Sequence, residues 1–165
     1  MTVTLNANPG DPSANAYCTA AQADTYHATR GQNPEWAAIP DQPTKETYVM
    51  WATRKLDELD WYGGRRTVGQ ALRWPRAGLV DRDGYPVDYT GIPAFLVNAT
   101  AEYAYQLWKQ DWTQGQGPLV SRSIQVGSLR QEGEWFNPIP PSVVAIIRPY
   151  VSGLPGNGCM HVTRS

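Results

Sequence analysis

The residues able to do chemistry are few and scattered. Two histidines, His27 and His161, and two cysteines, Cys18 and Cys159, are the only imidazoles and thiols in 165 residues. A metal centre needs several such ligands at short spacing. Cys18 and His27 lie near one another, but no third ligand type stands at a suitable distance. His27 falls at a predicted helix end and reads as surface or half-buried. Cys18 and Cys159 sit near opposite ends of the chain, which is neither a disulfide framework nor a CxxC site. Free thiols in a reducing cytoplasm are the expectation. Asp81-Arg82-Asp83-Gly84 has the opening of a calcium loop without its later carboxylate or its bidentate glutamate, and Asp-Gly is a common turn. Asp57, Glu58 and Asp60 sit beside Arg54 and Lys55 on one predicted helix. They read as a solvated face with local ion pairs. No P-loop, dinucleotide glycine fingerprint or nucleophile elbow occurs, and Gly156-Asn157-Gly158 reads as tail rather than phosphate cradle. The expectation is a protein that is not an enzyme, with no metal and no cofactor.

One concentration of chemistry remains. Arg65, Arg66, Arg73, Arg76 and Arg82 are interleaved with Tyr62, Trp74 and Tyr85. Arginines among aromatics suit a single-stranded nucleic acid. The competing reading is a long loop pinned by its aromatics, with the arginines paired to acids of the same or a neighbouring subunit. A net charge of −1 supplies no bulk attraction for a polyanion and favours this second reading.

The elements that would carry these residues are mostly helices. Thr19 and Gln22 form a capping-box pattern, Ala20, Ala23, Tyr26 and Ala28 give a weak apolar side, and Gly31 is a stop. Residues 32–41 read as a loop with a short turn around Trp36. A second helix is predicted from Thr44 to Asp60, because Tyr48, Trp51, Ala52, Lys55, Leu56 and Leu59 recur at helical spacing. Gly63-Gly64 ends it. Residues 62–91 form a long loop in which Leu72 and Trp74 argue against disorder. A third helix runs from Pro93 to about Trp112 on a stripe of Leu96, Ala99, Tyr103 and Leu107. The period then changes: in 119–136, Arg122, Ile124 and Val126 alternate with polar residues, which predicts one strand or a hairpin arm. A fourth helix follows Pro140-Pro141-Ser142, shortened or kinked at Pro149. The fold class is therefore mainly α, a small bundle of about four helices with a β arm between the third and fourth. An extended arm over 1–17 precedes the helical domain of 18–152, and a flexible tail of 153–165 follows it.

The composition fits a partner-binding protein. Seven Trp and nine Tyr against two Phe, and eleven Arg against three Lys, suit interfaces as well as cores. The opening residues have no basic start and no apolar run, so no signal peptide is expected. No apolar stretch is long enough to span a bilayer.

Several segments, in order, carry a likeness. They are Ala14-Asn15-Ala16-Tyr17; Tyr26-His27-Ala28-Thr29-Arg30-Gly31; Ala52-Thr53-Arg54-Lys55-Leu56-Asp57; and Tyr62-Gly63-Gly64-Arg65-Arg66. Then come Gln70-Ala71-Leu72-Arg73-Trp74-Pro75-Arg76-Ala77-Gly78, Ile92-Pro93, Ser123-Ile124-Gln125-Val126-Gly127 and Arg148-Pro149. Over roughly residues 12–151 the chain resembles the head-to-tail adaptor (head-completion, connector) proteins of long-tailed phages, some of which carry the label DnaT-like. The run of Gln, Leu, Trp-Pro-Arg and Gly is its most specific part.

The resemblance implies a helical bundle with a β arm, assembled as a ring, commonly dodecameric, beneath the portal protein. Such a ring extends the DNA channel without sequence-specific contact and presents a platform to the next neck protein. It places the chain in the virion, made in the bacterial host cytoplasm and bound to no membrane. Pairing of the β arm between subunits would satisfy its edges, with Arg122, Ile124, Val126, Leu129, Arg130 and Trp135 as interface residues. Leu154, Pro155, Met160, His161, Val162 and Arg164 of the tail are the expected portal-docking residues. Leu72, Trp74, Pro75 and Arg76 are expected to anchor the loop. Trp135-Phe136 departs from the more polar arm expected of the family. The DnaT-like label, with the Arg/Tyr/Trp loop, supports a single-stranded DNA-binding module as the alternative.

Overall fold

A computed structural model of the chain describes residues 3–31, 33–112, 119–126, 129–136, 139–152 and 154, with 119–126 and 129–136 described as backbone. Helix α1, Ala20–Thr29, starts where its capping box predicts. The Thr19 amide donates to Gln22 Oε1 at 2.8 Å and the Gln22 amide to Thr19 Oγ1 at 3.2 Å, satisfying two donors that helix geometry leaves open. Helix α2, Pro34–Ala37, is a single turn capped by Asn33, and it seats Trp36 in the core.

Helix α3 spans Gln42–Asp57, displaced toward the N-terminus from the predicted span of Thr44 to Asp60. Asp41 is the reason at the start: its carboxylate accepts the Thr44 amide at 2.7 Å, with Pro43 in the first turn. At the other end Asp60 and Trp61 leave the helix as strand β1, Asp60–Trp61, which pairs with a strand near the C-terminus. A tertiary contact ends this helix before its apolar pattern does.

Strands β2, Gly64–Arg65, and β3, Arg76–Ala77, pair antiparallel and close the long loop on itself. Gly63 makes this closure possible. It sits at φ +72°, and a Cβ there would lie 2.5 Å from the Ala77 carbonyl oxygen, so only glycine fits.

Helix α4, Ala94–Lys109, is the central helix and packs against α1, α3 and α5. Its buried residues include Leu96, Ala99, Ala101, Tyr103, Ala104 and Leu107; the alanines let neighbouring helices approach closely. It stops short of the predicted Trp112 because Gln110 turns extended, with φ −158° and ψ 137°. Helix α5, Pro141–Ile147, runs into a 3-10 turn, Arg148–Tyr150, at Pro149, which lacks the amide needed to continue an α-helix. Strand β6, Val151–Ser152, then returns to β1.

The core gathers Tyr17, Trp36, Leu56, Trp74, Leu96, Tyr103 and Ile147, all almost fully buried, each contributing about 1.5–3 kcal/mol through removal from water. The segment before α1 is fastened to it. Asn6 and Asn15 bridge it internally, with the Asn6 amide 2.7 Å from Asn15 Oδ1 and the Asn15 amide 2.9 Å from the Asn6 carbonyl. Ala14, Ala16 and Tyr17 are buried.

Strands β4, Leu119–Val126, and β5, Leu129–Phe136, form the predicted arm. They pair along all eight residues of each, from Leu119 opposite Phe136 to Val126 opposite Leu129. Among the described residues no third strand joins this ribbon, and neither strand makes more than marginal contact with any helix. The protein is thus a mainly α domain of five described helices with small two-stranded sheets and one long β ribbon. No helix among the described residues is long and apolar enough to cross a membrane.

Candidate functional site

The arginine loop is knotted from within. Arg76, 8% exposed, donates from Nε to the Tyr62 carbonyl at 2.7 Å, from Nη1 to Arg73 at 3.2 Å, and from Nη2 to Trp61 at 3.1 Å and to Gly63. A planar fork with five donors can hold several carbonyls at once. Burial, and then the neighbouring charges of Arg73 and Arg65, lower its pKa from the usual guanidinium value. Gln70, also buried, accepts the Thr67 amide at 3.0 Å and donates to the carbonyls of Leu72 at 2.8 Å and Pro75 at 3.1 Å. Trp74 is buried edge-on between Trp61 and Phe95, and its indole N–H has no partner among the described residues. Leu72 packs on the core and Pro75 follows a cis peptide bond. The structure therefore brings Leu72, Trp74, Pro75 and Arg76 together as one scaffold element, to which the sequence adds Gln70.

Asp57 ties this knot to α3 and to the segment before α1. Its Oδ1 accepts the Tyr17 phenol and the Arg73 amide, the latter at 2.6 Å, while the Tyr17 amide donates to Thr53 Oγ1 at 3.0 Å. Burial and the facing carboxylate raise the Tyr17 pKa well above the ordinary phenol value. The solvated acidic face expected at Asp57, Glu58 and Asp60 is a misreading of Asp57. The sequence carried a signal, since Tyr17, Asp57 and Arg73 all belong to the ordered segments of the resemblance. Glu58 does bind Lys55, at 3.0 and 3.1 Å, as an ordinary helix pair.

A second polar cluster holds α1 against α4. Glu102, fully buried, accepts from Arg30, from Tyr26 at 3.3 Å and from Gln106 at 3.0 Å. His27 is buried too, contrary to its sequence reading as surface or half-buried. Its Nε2 donates to the Ala101 carbonyl at 3.0 Å, which places the proton there and leaves Nδ1 to accept from Asn33 at 3.2 Å. Burial lowers its pKa below the ordinary imidazole value. Its rings of contact are Tyr26, Trp36 and Tyr105, so this histidine packs and orients. Cys18 is fully buried, and burial pushes its thiol up to about 12. Asp81 spends Oδ1 on the amides of Asp83 and Tyr85 in its own turn, at 2.9 Å each. Among the described residues no group of three His, Cys, Asp or Glu converges to hold a metal.

What the loop leaves on the surface is distinct from what it buries. Arg65, Arg66 and Arg82 are exposed, with Tyr62, Val68, Tyr85 and Tyr89. Arg66 donates to the Thr90 carbonyl at 2.9 Å. Of the pairing with acids of the same or a neighbouring subunit expected of these arginines, the first half is not seen among the described residues: Arg76 and Arg66 hold carbonyls of their own chain. The ribbon residues Arg122, Ile124, Val126, Leu129, Arg130 and Trp135 all lie on β4 and β5, where Val126 faces Leu129 and Val120 faces Trp135. Leu154 is buried with the core, which makes it part of the fold; Pro155, Met160, His161, Val162 and Arg164 lie outside the described residues.

No curated protein matches the chain, and no solved structure does. A family model described as "Putative DnaT-like ssDNA binding protein" matches residues 1–165. The match spans the whole chain and takes in the Tyr17–Asp57–Arg73 tie, the Trp74–Arg76 knot and the β ribbon together, and the chain belongs to that family.

Proposed function

We propose that this protein is a subunit of the ring that joins a tailed phage's head to its tail, a structural virion protein without catalytic activity. The observation that carries the reading is the β4–β5 ribbon. Eight residues per strand extend over about 27 Å at the usual rise. A two-stranded ribbon of that kind is marginal in water by itself, and both its outer edges offer backbone donors and acceptors that attract further pairing. Among the described residues its own helices contact it only marginally. A closed ring of identical subunits covers it, because each ribbon meets the same neighbouring surface and no edge is left over. The rest of the fold suits that role, since its most specific sequence run builds a buried, internally hydrogen-bonded scaffold. In this reading the portal protein and the next neck protein bind the two faces of the ring, and packaged DNA passes through its lumen without sequence-specific contact.

The test is electron microscopy of the protein mixed with the portal protein of the same phage. Rings seated on the portal are the expected result. A monomer that joins neither portal nor virion overturns the reading.

A second reading, single-stranded DNA binding, draws on the family's description and on one observation. Exposed Tyr62, Tyr85 and Tyr89 share a loop with exposed Arg65, Arg66 and Arg82, which offers stacking faces beside cations. Fluorescence anisotropy with a deoxythymidine oligonucleotide at about 50 and 200 mM salt separates the two readings. Tight binding that persists at the higher salt favours the DNA module.

A further inference from the structure

Arg54 of α3 and Arg65 and Arg73 of the loop line one groove of about 800 Å³, whose other wall is the N-terminal segment at Val3, Ala14 and Asn15. Among the described residues none of these three guanidiniums has a hydrogen bond or ion pair; Arg73 is held through its backbone alone. The acids that share the groove are already engaged, with Asp57 Oδ1 on Tyr17 and Arg73 N–H and Glu58 on Lys55. Arg65 and Arg73 also stand close enough to Arg76 to contribute to lowering its pKa. No aromatic ring lines the groove, so it lacks the stacking faces that hold bases. What it offers is a set of free planar forks, the geometry that grips carboxylates.

We infer that this groove receives the acidic strand of a second copy of the chain, with Glu132 and Glu134 of the neighbour's β5 meeting Arg54, Arg65 and Arg73. The inference rests on the ring reading above. The strand and the groove are complementary. Glu132 and Glu134 are two positions apart on β5, which puts them on one face about 7 Å apart. Directly opposite them on β4 are Ser123 and Ser121, so β4 places no cation across from either; Arg130, two positions before Glu132, is the one cation on their face of β5. Gly133 between them, opposite Arg122, permits close approach of another backbone. A pair of carboxylates on a ribbon that the described helices contact only marginally thus matches an open groove of arginines that are unpaired among the described residues, the head-to-tail arrangement from which rings are built.

The test is a charge swap in the full-length protein, read by sedimentation velocity and electron microscopy with and without the portal protein. Arg65→Glu with Arg73→Glu, and separately Glu132→Arg with Glu134→Arg, should each weaken self-association by roughly tenfold or more. Combining all four should restore it to within about threefold, and added salt should weaken the unaltered protein. Circular dichroism melts should show no loss of stability, because among the described residues the altered groove side chains have no hydrogen bond or ion pair and their only electrostatic effect on Arg76 is repulsive; Arg54→Glu, on the exposed face of α3, serves if the loop double variant fails to fold. Rings that form equally well from both double variants, or a folded fourfold variant that does not recover, overturn the inference and leave the ring reading standing. A chain that stays monomeric to its solubility limit, portal present or absent, overturns both. Loss of oligonucleotide binding in the arginine double variant with self-association intact assigns the groove to nucleic acid and overturns the inference.

Discussion

The Tyr17 phenol donates to Oδ1 of Asp57, forty positions along the chain, and that one oxygen also holds the Arg73 amide at 2.6 Å. A single carboxylate therefore joins the segment before α1, the end of α3 and the arginine loop. Hydrogen bonds to a charged acceptor are the stronger kind, about 1.5–3 kcal/mol. Asp57→Ala leaves a buried phenol and an amide without a partner, and should lower unfolding stability by about 2–4 kcal/mol. Tyr17→Phe removes one donor only and should cost less. Urea denaturation of the two variants and their double tests the order: a double variant no worse than Asp57→Ala marks the phenol as acting through Asp57.

Arg76 makes a different prediction, because its partners are carbonyls. Lysine keeps the charge but not the fork, so Arg76→Lys strands most of the carbonyls of Trp61, Tyr62, Gly63 and Arg73 and buries an ammonium among them. The expected loss is roughly 2–4 kcal/mol. It should vary little between low salt and about 0.5 M salt, since the bonds join a cation to neutral groups rather than to an anion. A lysine variant as stable as the parent would show that the fork is dispensable.

These two residues also show what a sequence can disclose. The helices were legible because their apolar spacing and caps are local: Thr19 with Gln22 starts α1, and Pro149 ends α5. The end of α3 was not, because Asp60 and Trp61 are taken by Val151 and Ser152, some ninety positions away. Trp74, Pro75 and Arg76 could be read as loop anchors from type and context. What Arg76 anchors could not, since its acceptors are backbone carbonyls that exist at every position. Asp57 resembled any acid on an exposed helical turn. Its role depends on Tyr17 and Arg73 arriving from two other segments, which spacing does not encode. The unpaired state of Arg54, Arg65 and Arg73 was hidden for the same reason: acids stand near them in sequence, and only geometry shows those acids already engaged.

Burial holds His27 below its ordinary value of 6.5, so on acidification the unfolded chain takes up a proton before the folded one does. The stability tied to this group is fully present above about pH 6.5 and is lost as pH falls from there toward the folded pKa, with a slope of at most ~1.4 kcal/mol per pH unit. Asp41 and Asp88, whose pKa values are lowered by hydrogen bonds from Thr44 and Thr90, lose their contributions only at still lower pH, in the carboxylate range. Urea midpoints between about pH 7.5 and 5.5 should therefore fall for the parent and fall less for His27→Gln. Equal slopes in the two proteins would remove His27 as the cause.

The β ribbon is expected to separate folding from assembly. Because β4 and β5 contact the helices only marginally while α4 and α5 pack directly on each other, replacing residues 119–136 with a short Gly-Ser linker leaves the core contacts in place. Changing the length of a flexible connection alters closure entropy by well under about 1 kcal/mol, so the thermal midpoint of the shortened protein should stay close to that of the parent. Self-association should vanish, and with it the formation of rings on the portal. A shortened protein that unfolds at much lower temperature would mean the ribbon belongs to the body of the fold. One that melts normally and still forms rings would move the subunit interface onto the helices, and the exposed Trp108 beside Tyr48 would be the first place to look for it.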